Sequence, residues 1–222
     1  MERKITQNEK VKELFGYEER NELTWKQRGV IEKKMQELYG LTHDEAFVFV
    51  LYCTNLDVKP EDLKEKKVLD VGSGSGYFKK SLEKIIGKSD FVNFDRDIFE
   101  DEDQSLDVLG LAESLPFKDE SFDLILTHCS TPVMLATGGN FELIAPTVKE
   151  LLRVVSRGGT IKIYPVDFGD KELGGLANPA GREMFGLIKK EIQEADRNFK
   201  FKIIKIKSEL GDYGTLIEIK KN

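Results

Sequence analysis

Val68-Leu69-Asp70-Val71-Gly72-Ser73-Gly74-Ser75-Gly76-Tyr77-Phe78 is the stretch that decides the fold of this 222-residue chain. A short apolar run, three alternating glycines and a helical segment read as buried strand, tight loop and helix. Glycines after a strand let the backbone turn sharply and approach a ligand closely, and the helix N-terminus behind them favours anionic groups. A dinucleotide fingerprint, G-x-G-x-x-G, would put its third glycine at Tyr77; here the spacing is G-x-G-x-G, with the acid Asp70 two residues ahead. No G-K-[ST] ending follows, which excludes a nucleoside-triphosphate P-loop, and Tyr77 argues against an oxidoreductase.

Working outward, short apolar runs alternate with helical segments. Strands are expected at Lys67–Val71, Phe91–Phe94, Leu106–Leu109, Phe122–Thr127, Thr160–Tyr164, Phe201–Lys207 and Thr215–Lys220. Helices are expected near Phe78–Ile86, Phe141–Val155 and Gly181–Arg197. The pattern predicts an α/β, doubly wound, mostly parallel seven-stranded sheet, closed by a C-terminal antiparallel hairpin around the turn residues Gly211 to Gly214. Before Lys59-Pro60 the chain reads as helical. Thr24…Gln27 and Thr42…Glu45 are capping boxes. Val30, Ile31, Met35 and Leu38 form an apolar stripe expected to face the core, and residues 1–20 are expected to be a frayed or docking helix. The expected division is an N-terminal helical segment, 1–58, and a core, 59–222.

Four stretches together resemble the class I S-adenosylmethionine-dependent methyltransferases. The glycine loop with Asp70 is similar to their first motif, and Asp95 ends the second strand 19 residues after Gly76. Ala112-Glu113-Ser114-Leu115-Pro116-Phe117 through Ser121-Phe122-Asp123 resembles their "DAExLPFxDxSFDxV" segment, and Glu150 to Gly159 resembles their "ExxRVLKPGG" turn. The resemblance implies a methyltransferase whose cofactor is S-adenosyl-L-methionine. It implies cofactor binding by Asp70, Gly72, Ser73, Gly74, Gly76, Tyr77, Asp95, Ala112, Glu113 and Thr127, with Asp95 on the ribose hydroxyls. It further implies that the N-terminal helices lie over the cofactor edge and help build the acceptor pocket. Two departures stand out. Leu111 occupies the position where the family usually has an adenine-contacting Asp, and the connection from Arg96 to Ser105 is short and acidic.

His128 follows the fourth expected strand at the edge where open α/β sheets hold ligands, and is the candidate to take a substrate proton. Asp167 follows the next strand at the same edge and is the candidate to hold an amine or hydroxyl of the acceptor. The sequence Thr127-His128-Cys129-Ser130-Thr131-Pro132 lacks the [DNS]-P-P-[YF] motif of nucleic-acid amino-methylating relatives, and the "LPFxDxSFD" style is typical of relatives acting on small molecules. A small-molecule acceptor is therefore the leading expectation. A protein or RNA acceptor, or a catalytically silent cofactor-binding module, is the alternative.

Composition narrows the setting. No apolar run reaches the ~18 residues of a membrane span, and MERKITQNEK has no apolar core of a secretory signal. Two cysteines and two histidines without a cluster predict neither a disulfide scaffold nor a metal site, so a reducing, cytoplasmic setting is expected. Of 40 acids and 34 bases, seven acids and one base lie between Asp95 and Asp107; the rest of the chain balances at 33 of each. The net charge of -6 is thus one local field, which disfavours polyanions approaching from that side.

Overall fold

The structure, a computed structural model, describes residues 17–21, 23–98, 105–166, 179–195, 198–207 and 213–222. In chain order the elements are β1 (Tyr17–Asn21), α1 (Trp25–Tyr39), α2 (His43–Asn55), the one-turn α3 (Pro60–Leu63), β2 (Lys67–Val71), α4 (Tyr77–Ile86), β3 (Asp90–Asp95) and β4 (Val108–Leu109). They continue with β5 (Phe122–His128), α5 (Val133–Thr137), α6 (Ile144–Val154), β6 (Val155–Tyr164), α7 (Pro179–Glu194), β7 (Phe199–Lys207) and β8 (Tyr213–Lys221). One sheet holds all the strands in the order β1-β7-β8-β6-β5-β2-β3-β4. β8 runs antiparallel to both its neighbours, and the remaining pairs are parallel.

The seven expected strands form, and β1 adds an eighth beside β7. Residues 17–20 are therefore strand, not the expected helix; residues 1–16 lie outside the described residues. Tyr17-Glu18-Glu19-Arg20-Asn21 has no apolar alternation to announce a strand, because an edge strand can be recruited by backbone pairing alone. β6 starts at Val155, ahead of the expected Thr160, and its pairing with β5 shifts register between Phe122 and Leu124. The stretch Glu150 to Gly159, expected as the turn segment ahead of the strand, runs from the end of α6 into that irregular strand.

Alternate strand residues feed two cores. Leu69, Val71, Ile125, Ile161 and Ile163 point to α6 and α7, while Val68, Leu124, Leu126 and Phe91 pack with α2 and α4. Both capping boxes form: Thr24 and Gln27 exchange bonds of 2.9 and 3.1 Å, Thr42 and Glu45 of 2.8 and 3.2 Å. The orientation of α1 differs from expectation. Val30 and Leu38 are exposed, and the buried face carries Arg28, Glu32 and, partly, Met35. Those positions also share one helix face (i, i+4, i+7), and the Arg28 guanidinium lies 4.8 Å over the Trp25 ring. No helix among the described residues is long and apolar enough to cross a membrane.

The chain leaves β2 for β3 and β4 on one side and for β5 and β6 on the other. Strand order thus reverses between β2 and β5, and the crevice beyond their carboxyl ends is where such sheets bind ligands.

Candidate active site

A cavity of about 700 Å³ opens at that reversal. It is lined by the glycine loop after β2, the end of β3, residues 110–113, the segment following β5, and Val48, Leu51 and Tyr52 of α2.

The glycine loop is built by three residues at positive φ, Gly72 (78°), Gly74 (58°) and Gly76 (74°). Their surroundings assign them different work. A Cβ on Gly72 would overlap the side chain of Ser130, whose Oγ donates to the Val71 carbonyl at 2.6 Å, so the loops after β2 and β5 meet backbone to side chain. A Cβ on Gly76 would collide with the Ser105 carbonyl and the Asn93 amide. Gly76 does not line the cavity; it permits packing behind the loop and caps α4, in contrast to the ligand contact expected of it. A Cβ on Gly74 would meet nothing within 4 Å. Gly74 therefore supplies the backbone surface that a ligand can approach.

Asp95 lines the cavity and ties the loop to β3: its Oδ2 accepts from the Gly74 N–H at 2.8 Å and its Oδ1 from the Asp97 N–H at 3.1 Å. A carboxylate has about four acceptor sites, so each oxygen keeps capacity for a hydroxyl. Ser73, Tyr77, Ala112 and Glu113 also line the cavity, with Leu111 an exposed apolar wall beside them. The 111–119 segment is pinned from below by α6. Glu150 accepts from the Leu115 N–H at 2.9 Å, and Arg153 donates to the Leu115 and Phe117 carbonyls at 3.0 and 2.8 Å and to Asp119 at 2.7 Å. The guanidinium beside it holds the Glu150 carboxyl below the usual range. The two long motifs of the sequence are thus halves of one clamp.

Several buried polar atoms around the loop lack a well-formed hydrogen bond in the protein: the hydroxyls of Ser73, Thr127 and Thr131, and both oxygens of Asp70, which only the Tyr52 hydroxyl approaches. Buried polar groups are rarely left so, and these four residues lie on or beside the glycine loop and the end of β5. Asp70 and Thr127 lie behind the cavity wall, while Ser73 and Thr131 are part of it. Burial pushes the Asp70 carboxyl up to about 7; the Tyr52 hydroxyl partly offsets this and the Asp95 charge adds to it. A cationic ligand group beside such a carboxyl would favour its ionised form. Poorly satisfied acceptors and hydroxyls, a bare Gly74 backbone and a paired carboxylate on Asp95 fit a ligand with a cationic centre and a ribose.

His128 lines the cavity from the end of β5. Its ring packs against Tyr52, at 4.5 Å between centroids, and Tyr164, at 5.7 Å. The Asn55 amide Nδ2 sits 3.0 Å from its Nε2. Burial lowers its pKa to about 4, so the imidazole is neutral at pH 7. Asp167 lies outside the described residues. Tyr52 and Asn55 were not singled out as site residues by their sequence, which reads only as the end of an apolar helix. The Asn55 contact with His128 spans 73 positions, the Tyr52 contact is similarly long-range, and neither has a local signal. Among the described residues no cluster of His, Cys, Asp or Glu could hold a metal ion.

The protein is a methyltransferase whose cofactor is S-adenosylmethionine, a conclusion that rests on a family-model match over part of the chain. Residues 69–163, from the glycine loop through β6, match the family model described as a methyltransferase domain. Among solved structures, the chain is similar to a SAM-dependent methyltransferase from Thermotoga maritima (21% identity, 87% of this chain and 99% of that one, TM-score 0.47). It is similar also to one from Aquifex aeolicus (17%, 85% and 97%, TM-score 0.46) and to TrmN from Thermus thermophilus (15%, 86% and 52%, TM-score 0.48). No curated protein matches the sequence.

Proposed function

We propose that the protein transfers the cofactor's methyl group to a small molecule lacking strong negative charge, in the manner of the small-molecule relatives that its Ala112–Asp123 segment resembles. The observation that supports this reading is the charge of the cavity wall. Asp95, Asp97 and Glu113 are acidic, and Arg96 is the only cationic side chain among the described lining residues. A polyanionic acceptor such as RNA needs basic groups to neutralise its phosphates. The rest of the wall, with Val48, Leu51, Leu111, Met134 and Leu143, is apolar, as small-molecule sites usually are.

In this reading Gly72, Ser73 and Gly74 cradle the methionine portion of the cofactor, Asp70 faces its cationic end from behind, and Asp95 takes the ribose hydroxyls. Ala112, Glu113 and Leu111 flank the adenine, Tyr77 covers the cofactor, and Thr127 supports it from the end of β5. His128 touches the acceptor, Asp167 helps to hold it, and helix α2 of the 1–58 segment walls the acceptor end. The bound cofactor supplies an already activated methyl group. The protein's task is alignment and exclusion of water, and positioning of this kind can lower a barrier by ~7–11 kcal/mol. A dedicated base is not required. We assign the enzyme to the cytoplasm, where its two free cysteines, Cys53 and Cys129, remain reduced.

Incubation with methyl-labelled cofactor and a cell extract, followed by separation into small-molecule, protein and RNA fractions, tests the reading. Label should enter the small-molecule fraction in a protein-dependent way. Label confined to protein or RNA would refute the assignment of acceptor class.

A further inference from the structure

We propose that Asn55 is a positioning residue that fixes His128 as the tautomer protonated on Nδ1, so that His128 meets the methyl acceptor as a hydrogen-bond donor. This rests on the reading that the cavity is the site of methyl transfer. An amide NH₂ only donates, so with Asn55 Nδ2 at 3.0 Å the Nε2 of His128 must be the accepting, unprotonated nitrogen. A neutral imidazole carries one ring proton, which then resides on Nδ1.

Further contacts surround the pair. The Asn55 side chain is buried, which restricts its rotation, and its Nδ2 faces the ring. The rings of Tyr52 and Tyr164 both pack against the imidazole, with interplanar angles of 35° and 14°, which restricts its rotation. The second neighbour of Nε2, the Cys129 sulfur at 4.0 Å, lies on the same side. His128 lines the cavity and its Nε2 is engaged by Asn55, so in this proposal Nδ1 is the nitrogen left to meet a ligand.

The consequence concerns the acceptor. Proton removal by His128 would need an unprotonated nitrogen facing the substrate, and this arrangement presents an N–H instead. The donor selects molecules with a lone-pair atom (a carbonyl, carboxylate or ring nitrogen) within hydrogen-bond reach of Nδ1 and beside the atom methylated. It also explains why a residue of α2, outside the glycine-loop core, is tied to the chemistry at the end of β5.

The chain has only two histidines, His43 and His128, so nitrogen NMR of the histidine-labelled full-length protein tests the assignment directly. The His43→Gln variant identifies the signals. In the wild type, His128 should show a protonated, pyrrole-type Nδ1 and an unprotonated, pyridine-type Nε2. Asn55→Asp, whose carboxylate only accepts, should move the proton to Nε2. Asn55→Leu, which removes the partner without adding charge, should leave a mixture of the two tautomers. A wild-type Nε2–H signal, or a tautomer ratio unchanged in Asn55→Leu, would overturn the proposal. None of these signals depends on cofactor or acceptor. Failure of cofactor to bind, measured separately by calorimetry, would strike the methyl-transfer reading and leave the tautomer assignment standing.

Discussion

Cofactor affinity should depend on pH through Asp70. Its carboxyl is buried, lacks a well-formed hydrogen bond, and is pushed by burial up to about 7 from an ordinary value of 3.8. A cationic ligand stabilises the charged form, so binding pulls a proton off Asp70 wherever the free protein holds one. Affinity is therefore full above pH 7 and declines as the pH falls through it. About half of the Asp70 carboxyl is ionised at pH 7 and about 1% at pH 5, so affinity should fall by up to about 50-fold across that interval, or ~2.3 kcal/mol. The cofactor's own carboxylate and amine keep their charges over most of this window. Isothermal titration calorimetry of S-adenosylmethionine at half-unit steps between pH 5 and 8 measures the slope, and two buffers of different ionisation enthalpy reveal the proton released. Asp70→Asn should flatten the profile. A wild-type affinity independent of pH, or the same slope in Asp70→Asn, would refute the reasoning. The sign for stability is the opposite of that for binding: the raised carboxyl makes the free fold lose stability as pH rises from about 4 to 7.

Four substitutions probe the scaffold. Gly74→Ala, with open space at its Cβ, should cost only the ~1–2 kcal/mol of a left-handed residue in urea unfolding and reduce cofactor affinity, whereas Gly76→Ala, driven into Ser105 and Asn93, should lose clearly more stability. Arg153→Met removes the donors to Leu115, Phe117 and Asp119 and should cost ~2–3 kcal/mol in urea unfolding, with weaker cofactor binding because the 111–119 segment is released. Lys162→Met should cost ~1–3 kcal/mol in thermal or urea unfolding, since the buried ammonium closes the end of α2 by donating to the Leu56 and Asp57 carbonyls at 2.9 and 2.8 Å.

What could be read from the sequence was local. The strand, the glycines and the helix after them are contiguous, so the loop, its positive-φ turns and Asp95 at the end of β3 emerge from spacing alone. The Ala112–Asp123 and Glu150–Gly159 stretches were recognisable as patterns. Their physical reason, the Glu150–Arg153 clamp on Leu115 and Phe117, became visible only when the two stretches met in space. Tyr52 and Asn55 were illegible because nothing near them in the chain marks the end of α2 as the wall of a cavity. Gly76 resembled Gly74 in sequence and differs from it in surroundings, which spacing cannot report. On α1 the periodicity identified a helix but not its rotation. Val30 and Leu38 share a face that is left exposed, because the neighbour against which a helix packs sets which side is covered. β1 was hidden for a related reason, since backbone pairing to β7 carries no side-chain pattern.

The central claim is that the cavity between the ends of β2 and β5 binds S-adenosylmethionine with its ribose on Asp95. Calorimetric titration of the cofactor into the wild type and Asp95→Ala tests it most directly. The expected result is one-to-one binding with a Kd below a millimolar in the wild type, weakened by ~1–3 kcal/mol in the variant, the scale of lost charge-assisted hydrogen bonds. No detectable binding of either the cofactor or its demethylated product, or an affinity unaltered by Asp95→Ala, would contradict it.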